Sequence, residues 1–314
     1  MILSLDPVLQ ENVWGGRRLV TEFPYHAEGE HIGECWAVSA HPHGDGVVRE
    51  GEYAGKTLSR LYKEHRELFG NISAEEFPLL IKMIDARTDL SIQVHPDDDY
   101  AREREGVPFG KTECWYVADC PENASLVIGH HAQSRQELAD MISQGKYEEL
   151  IRKVPVRKGD FLQIDPGTIH AITGGLLILE IQQSSDITYR VYDYGRLVDG
   201  KPRQLHVQQS IDVINVPDES DQKALVHTDG LPENQLNLLE ACAHYRVWKL
   251  NLSGEMSLEQ KYPFLILSML EGKGTVDEQP VEKGVHLLIT AAHGTVTLKG
   301  DMVMILSTVG GDVL

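Results

Sequence analysis

Cysteine is scarce in this 314-residue chain: Cys35, Cys114, Cys120 and Cys242 are scattered, with no C-x-x-C pair among them. That pattern argues against a disulfide scaffold and a cysteine zinc site and fits reduced thiols in a cytoplasm. Long apolar runs are also lacking. The longest, 264–270 and 302–306, fall far short of the roughly 20 residues a bilayer-spanning helix needs. The first ten residues carry no basic segment and place Asp6 and Pro7 where a secretion signal would be apolar. Basic runs are missing too: 29 Lys and Arg face 48 Asp and Glu, a net charge of −19. A chain this acidic repels phosphate backbones and anionic head groups. A cytoplasmic protein with neither nucleic-acid nor membrane partners is expected.

What is present suits a globular protein, with 41% hydrophobic and 25% charged residues, and a length that suggests roughly two domains. Helical periodicity is convincing in two places. Leu58, Leu61, Tyr62, His65, Leu68 and Phe69 fall at i, i+3, i+4 spacing before Gly70, which predicts a helix within 56–70. Ser134 and Glu137 form a capping box ahead of Leu138, Met141, Ile142, Leu150 and Ile151, with a break at Gly145; a helical excursion over 134–151 is predicted. A third box, Ser73 with Glu76, predicts a short helix before Pro78. Much of the rest is short apolar runs (79–84, 90–94, 114–117, 125–128, 161–164, 176–181, 187–191) punctuated by Gly, Pro, Asp or Asn, the pattern of a β-sandwich or barrel.

The polar, turn-rich stretch 217–237 suggests a boundary, giving a domain over 1–220, a linker over 221–237 and a smaller β domain over 238–314. A faint internal echo relates the two domains. Lys158-Gly159 and Lys283-Gly284 each precede a strand and a turn at an offset of 125, where His170 is answered by Thr295; chance likeness between two hairpins is the competing explanation. The C-terminal segment lacks Q-x-H or H-x-H, and its His286 and His293 are seven apart. It is expected to hold no metal.

Three segments of the first domain carry candidate metal ligands. In L-S-I-Q-V-H-P, Gln93 and His95 are two apart, so on a strand they share one face while Ile92 and Val94 take the other. Polar groups on the inner face of a barrel are costly unless they bind something. Glu113 opens the strand E-C-W-Y-V, and the turn D-P-G-T-I-H delivers His170. Singly, each is more readily a packed or surface residue; together, Q-x-H, Glu and P-G-x-x-H follow the order in which cupin barrels supply H-x-H, Glu and a final histidine to one metal. Two imidazoles, a carboxylate and an amide oxygen suit zinc, manganese or ferrous iron alike.

The strings W-G-G (14–16), G-E-C-W (33–36), L-S-I-Q-V-H-P-D (90–97), G-K-T-E-C-W (110–115), P-G-T-I-H-A (166–171) and S-D-I-T-Y-R (185–190) resemble the type I mannose-6-phosphate isomerases over about residues 10–215. The resemblance implies a mainly β, cupin (jelly-roll) barrel with short helical insertions. It also implies a zinc-dependent aldose–ketose isomerase acting on mannose 6-phosphate, with one Zn2+ per chain held by Gln93, His95, Glu113 and His170. Arg190 matches an active-site arginine of the family, and Lys111, Glu180 and Ser91 match other pocket residues. Longer family members insert a helical domain between the carboxylate ligand and the last histidine, whereas only 56 residues separate Glu113 from His170 here. Lys111 or Glu180 would shuttle the proton, and Lys111 and Arg190 would hold the phosphate or oxyanion. The competing classes are a non-catalytic cupin that binds a sugar or phosphate, and an iron-dependent cupin oxygenase.

Overall fold

A computed structural model describes residues 1–220 and 225–311; part of the expected linker, 221–224, lies outside the described residues. Two antiparallel sheets form the first domain. The larger runs in the order 226–227, 160–164, 113–119, 177–183, 79–85, 32–38 and 8–16, and the smaller in the order 151–155, 125–130, 170–171, 92–94 and 189–192. A third sheet gathers the C-terminal strands, among them the long ribbon of Tyr245–Gln260 and Gly294–Val309.

Strand alternation assigns each layer its contacts. Along the larger sheet, Cys35, Leu79, Ile81, Met83, Cys114, Tyr116, Leu179 and Ile181 pack with Tyr245, Phe264, Ile266 and Ile305 of the C-terminal sheet. The opposite face carries Ile84, Trp115, Val117 and Ile178 into the barrel interior. On the smaller sheet, Ile92, Val94, Tyr189 and Val191 meet Leu138, Ile142 and Ile214 outside the barrel. The larger sheet is therefore covered on both faces, which explains why its strands read as continuous apolar runs.

The helical excursion appears as Arg135–Ser143 and Tyr147–Leu150, with Ser134 Oγ accepting the Glu137 N–H at 3.2 Å. The helix expected within 56–70 is split at His65 into the α-helix Leu58–Glu64 and the 3-10 turn Arg66–Phe69. No helix forms at 73–76, where Pro78 and the entry to the strand Leu79–Asp85 demand extended backbone.

The expected boundaries are crossed twice. The first strand, Ile2–Asp6, pairs with His286–Thr290 and so belongs to the C-terminal sheet. Val226–His227, inside the expected linker, pairs with Asp160–Phe161 at the edge of the larger sheet. Lys158-Gly159 and Lys283-Gly284 occupy turns of the same hand, with glycine φ of 90° and 89°, each leading into a strand. His293 lies in a turn rather than on the strand of His286.

Aromatic rings fasten the two halves: Phe77 lies 5.0 Å from Phe264, and Phe69 lies 6.1 Å from the same ring. Because Phe264 is fully buried, Phe264→Ala should cost about 3–5 kcal/mol, read as a lower urea midpoint. A cost below 1 kcal/mol would show that this junction contributes little.

Candidate metal centre and cleft

The ligand-type residues converge because three backbone features bring their strands together. Gln93 pairs across the smaller sheet with His170 on one side and Arg190 on the other, so all three side chains face inward. Gly110 lies against the Pro96–Asp97 backbone, where a Cβ would come within 2.3 Å of Asp97 C. The Lys111 N–H donates to Pro96 O at 2.9 Å, which sets Lys111 beside His95. Gly167, at φ +81°, makes the turn before His170 and donates its N–H to His95 O at 2.9 Å. Asn215 braces that turn, donating its backbone N–H to Gly167 O at 2.9 Å and its side-chain amide to Pro166 O at 3.0 Å.

At the centre, His95 Nε2 and His170 Nε2 stand 3.1 Å apart. Glu113 Oε2 lies 3.6 Å from the first and Oε1 3.3 Å from the second. His170 Nδ1 donates to Thr168 O at 2.9 Å, which fixes the tautomer and leaves Nε2 as a lone pair. The three side chains are buried, and neither Glu113 oxygen accepts a well-formed hydrogen bond. Burial drives His95 well below the usual histidine range and His170 down to about 4. Burial, with the nearby Glu180 carboxylate, pushes Glu113 up.

Two imidazole nitrogens and both oxygens of one carboxylate converge on a single point, with Lys111 at its edge, and so form a donor set for a cation. Donor atoms held about 2.0–2.2 Å from one ion stand about 3.0–3.6 Å apart, so the spacings fit a single divalent metal. Gln93 completes the ring: its Nε2 is 3.3 Å from His170 Nε2, Ser91 Oγ donates to its Oε1 at 3.3 Å, and turning the amide by 180° presents the oxygen instead. Lys111 supplies the nearest positive charge, with Nζ 2.7 Å from Glu113 Oε2 and 3.2 Å from His95 Nε2.

The cluster opens onto a cleft lined by Ser91, Gln93, Lys111, Glu180 and Arg190. Every candidate site residue therefore lies at the cluster or along this one cleft. Arg190 Nε has no hydrogen-bond partner among the described residues. Glu180 Oε1 accepts from Trp115 Nε1 at 2.9 Å, and Oε2 is 3.2 Å from Lys82 Nζ and 4.0 Å from Lys111 Nζ. Burial alone would raise Glu180, but Lys111 and Lys82 outweigh it and hold the carboxyl down at about 2.

Lys82, Glu34 and Arg203 also line the cleft and were missed by the sequence reading. Lys82 is buried, with Nζ 3.5 Å from Glu34 and 5.1 Å from the centre of the Trp36 ring. Burial would deprotonate it, yet Glu34, Glu180 and Glu113 keep it charged. The available signal was a lysine amid the apolar run L-L-I-K-M-I. Lys82→Met leaves two carboxylates without their shared cation and should destabilise the fold by about 3–5 kcal/mol in denaturant melts. A neutral outcome would mean that solvent or Lys111 already balances Glu34 and Glu180.

The described residues thus form a two-domain antiparallel β protein of the cupin class, with a buried imidazole–carboxylate cluster at the floor of a cation-lined cleft. Residues 2–122 match the family model for the catalytic domain of type I phosphomannose isomerase, and 234–309 match that for the mannose-6-phosphate isomerase cupin domain. Mannose-6-phosphate isomerase ManA of Bacillus subtilis is 45% identical over 303 residues, 95% of this chain and 96% of the relative. The mannose-6-phosphate isomerase of Streptococcus mutans is 43% identical over 311 residues, 97% of each chain. A crystal structure of the mannose 6-phosphate isomerase from Bacillus subtilis superposes with a TM-score of 0.88 at 41% identity, covering 98% of this chain and 99% of that one. A putative mannosephosphate isomerase from Archaeoglobus fulgidus shares the fold, with a TM-score of 0.80 at 18% identity over 99% of this chain and 98% of its own. The chain belongs to the type I mannose-6-phosphate isomerase family. The likeness covers nearly the whole chain, beyond the 10–215 span of the recognisable motifs, and the cupin model falls on the C-terminal segment.

Proposed function

We propose that this protein interconverts mannose 6-phosphate and fructose 6-phosphate, moving a proton between C1 and C2 through a cis-enediol. The observation that carries the reading is the placement of the His95/Glu113/His170 cluster at the floor of a cleft walled by Lys111, Glu180 and Arg190. Gln93, His95, Glu113 and His170 would hold one Zn2+ per chain, a donor set of borderline hardness without thiolate. When bound, the ion supplies Lewis-acid stabilisation of charge developing on the sugar oxygens.

The chain's own residues then divide the remaining work. Arg190, with Nε free of partners among the described residues, offers a forked donor to the phosphate or the developing oxyanion, each charged hydrogen bond contributing roughly 1.5–3 kcal/mol. Arg203 is already committed to Asp193 at 2.7 and 2.6 Å. Of the two candidates for moving the proton, Glu180 is tied by Trp115 and Lys82 and held strongly acidic, which makes it a weak base near neutrality. We assign proton transfer to Lys111, whose Nζ stands at the cluster and would take the carbon-bound proton as the free amine and return it as the ammonium, and we assign to Glu180 the positioning of that group from 4.0 Å. Ser91 positions the Gln93 amide.

The four cysteines are free, and no described helix is long and apolar enough to cross a membrane; we place the enzyme in the cytoplasm, acting on a small sugar phosphate. Turnover of mannose 6-phosphate in D2O tests the chemistry. Deuterium should enter at the carbon that receives the proton, C1 of fructose 6-phosphate or C2 of mannose 6-phosphate. Complete retention of carbon-bound hydrogen over many turnovers would favour a hydride shift and remove the role given to Lys111.

A further inference from the structure

The hairpin Ala40–His41 with Gly44–Asp45 carries H-P-H at its tip. Asp186 reaches the same point from the loop that precedes the strand Tyr189–Tyr192. Its Oδ1 is 3.6 Å from His41 Nε2 and its Oδ2 is 2.6 Å from His43 Nδ1. The two imidazole rings are 5.1 Å apart, and one ligand atom from each of the three residues falls within 4.8 Å of the others. We propose that His41, His43 and Asp186 form a second site for a divalent transition metal, separate from the buried cluster.

Three features support a site rather than a chance meeting of polar groups. The donors come from two segments far apart in sequence, which is how tridentate sites are built on rigid scaffolds. The hairpin tip is held in place: Gln10 Nε2 donates to His43 O at 3.1 Å, and the His41 N–H donates to the buried Ser39 Oγ at 3.2 Å. His41 stacks edge-on against Trp36 at 5.5 Å, so its ring is not free to swing. Asp186 turns one carboxylate oxygen toward each ring, Oδ1 to His41 and Oδ2 to His43.

Two imidazoles and one carboxylate favour zinc, cobalt, nickel or copper over magnesium or calcium, and water would fill the remaining positions. The site is weaker than the buried one for two physical reasons. His43 is 71% exposed, so solvent competes for every bond. An entering ion must also displace the protons that the rings share with Asp186, and His41 must give up the His43 N–H that its Nδ1 now accepts at 3.2 Å. Once bound, the ion would join the hairpin to the loop that leads to Thr188 and Arg190 in the cleft wall.

Equilibrium dialysis of the zinc-loaded protein against rising zinc, followed by elemental analysis, tests this. The wild type should take a second, weaker equivalent. His43→Ala and Asp186→Asn should each remove it while the first equivalent stays, which also shows that these variants fold. His170→Ala should do the reverse, losing the first equivalent and keeping the second. A wild type that saturates at one equivalent at millimolar zinc would overturn the proposal. So would a second equivalent that survives the double variant His43→Ala/Asp186→Asn.

Discussion

His170→Ala should abolish both tight metal binding and isomerase activity. The substitution removes the imidazole that faces His95 Nε2 at 3.1 Å and Glu113 Oε1 at 3.3 Å. It leaves His95, Glu113 and Gln93 unable to enclose an ion on all sides. Losing one preorganised group that stabilises developing charge costs roughly 10²–10³ in rate, and losing the ion as well should exceed that. Elemental analysis and the initial rate with mannose 6-phosphate report the two effects separately. A variant that keeps one tightly held zinc would remove His170 from the ligand set. One that keeps its rate without zinc would remove the metal from the reaction.

The second large effect should come from Arg190→Ala, with the opposite signature. The Arg190 backbone is held by pairing with Gln93 and by His206 Nδ1 at 3.3 Å from its N, whereas its side-chain Nε has no hydrogen-bond partner among the described residues. Removing the side chain should therefore leave the zinc content and melting temperature near wild type while the rate falls by roughly 10²–10³. Arg190→Lys should restore only part of the loss, because an ammonium cannot reproduce the two parallel bonds of a guanidinium to an oxyanion or phosphate. Wild-type kcat/KM in Arg190→Ala would reduce Arg190 to a residue of the edge strand.

The residues that sequence alone brought out share one property: their placement depends on local period. Gln93 and His95 point into the barrel while Ile92 and Val94 meet the helices outside, as strand alternation requires. The capping box at Ser134 and Glu137 forms for the same local reason. Lys82 needed more. It is stable in an apolar strand only because register sets it between Trp36 and Glu180 on the neighbouring strands, and no short window of sequence contains those partners. The H-x-H of His41 and His43 acquires meaning only from Asp186, which is 143 residues away from His43. The place of Ile2–Asp6 was not legible either, because that strand leaves its sequence neighbours to join a sheet built from the far end of the chain. Two of the C-terminal histidines also find partners distant in sequence: His286 Nδ1 pairs with Ser268 Oγ at 2.8 Å, and His293 Nε2 with Asp277 Oδ2 at 2.5 Å.

The most direct test of the central claim is conversion of mannose 6-phosphate to fructose 6-phosphate by purified protein before and after exhaustive chelation. The account predicts activity in the loaded protein, none once metal is shown to be absent, and recovery on adding one equivalent of zinc. Full turnover by verified metal-free protein, or no turnover by protein carrying one equivalent of zinc, would contradict it.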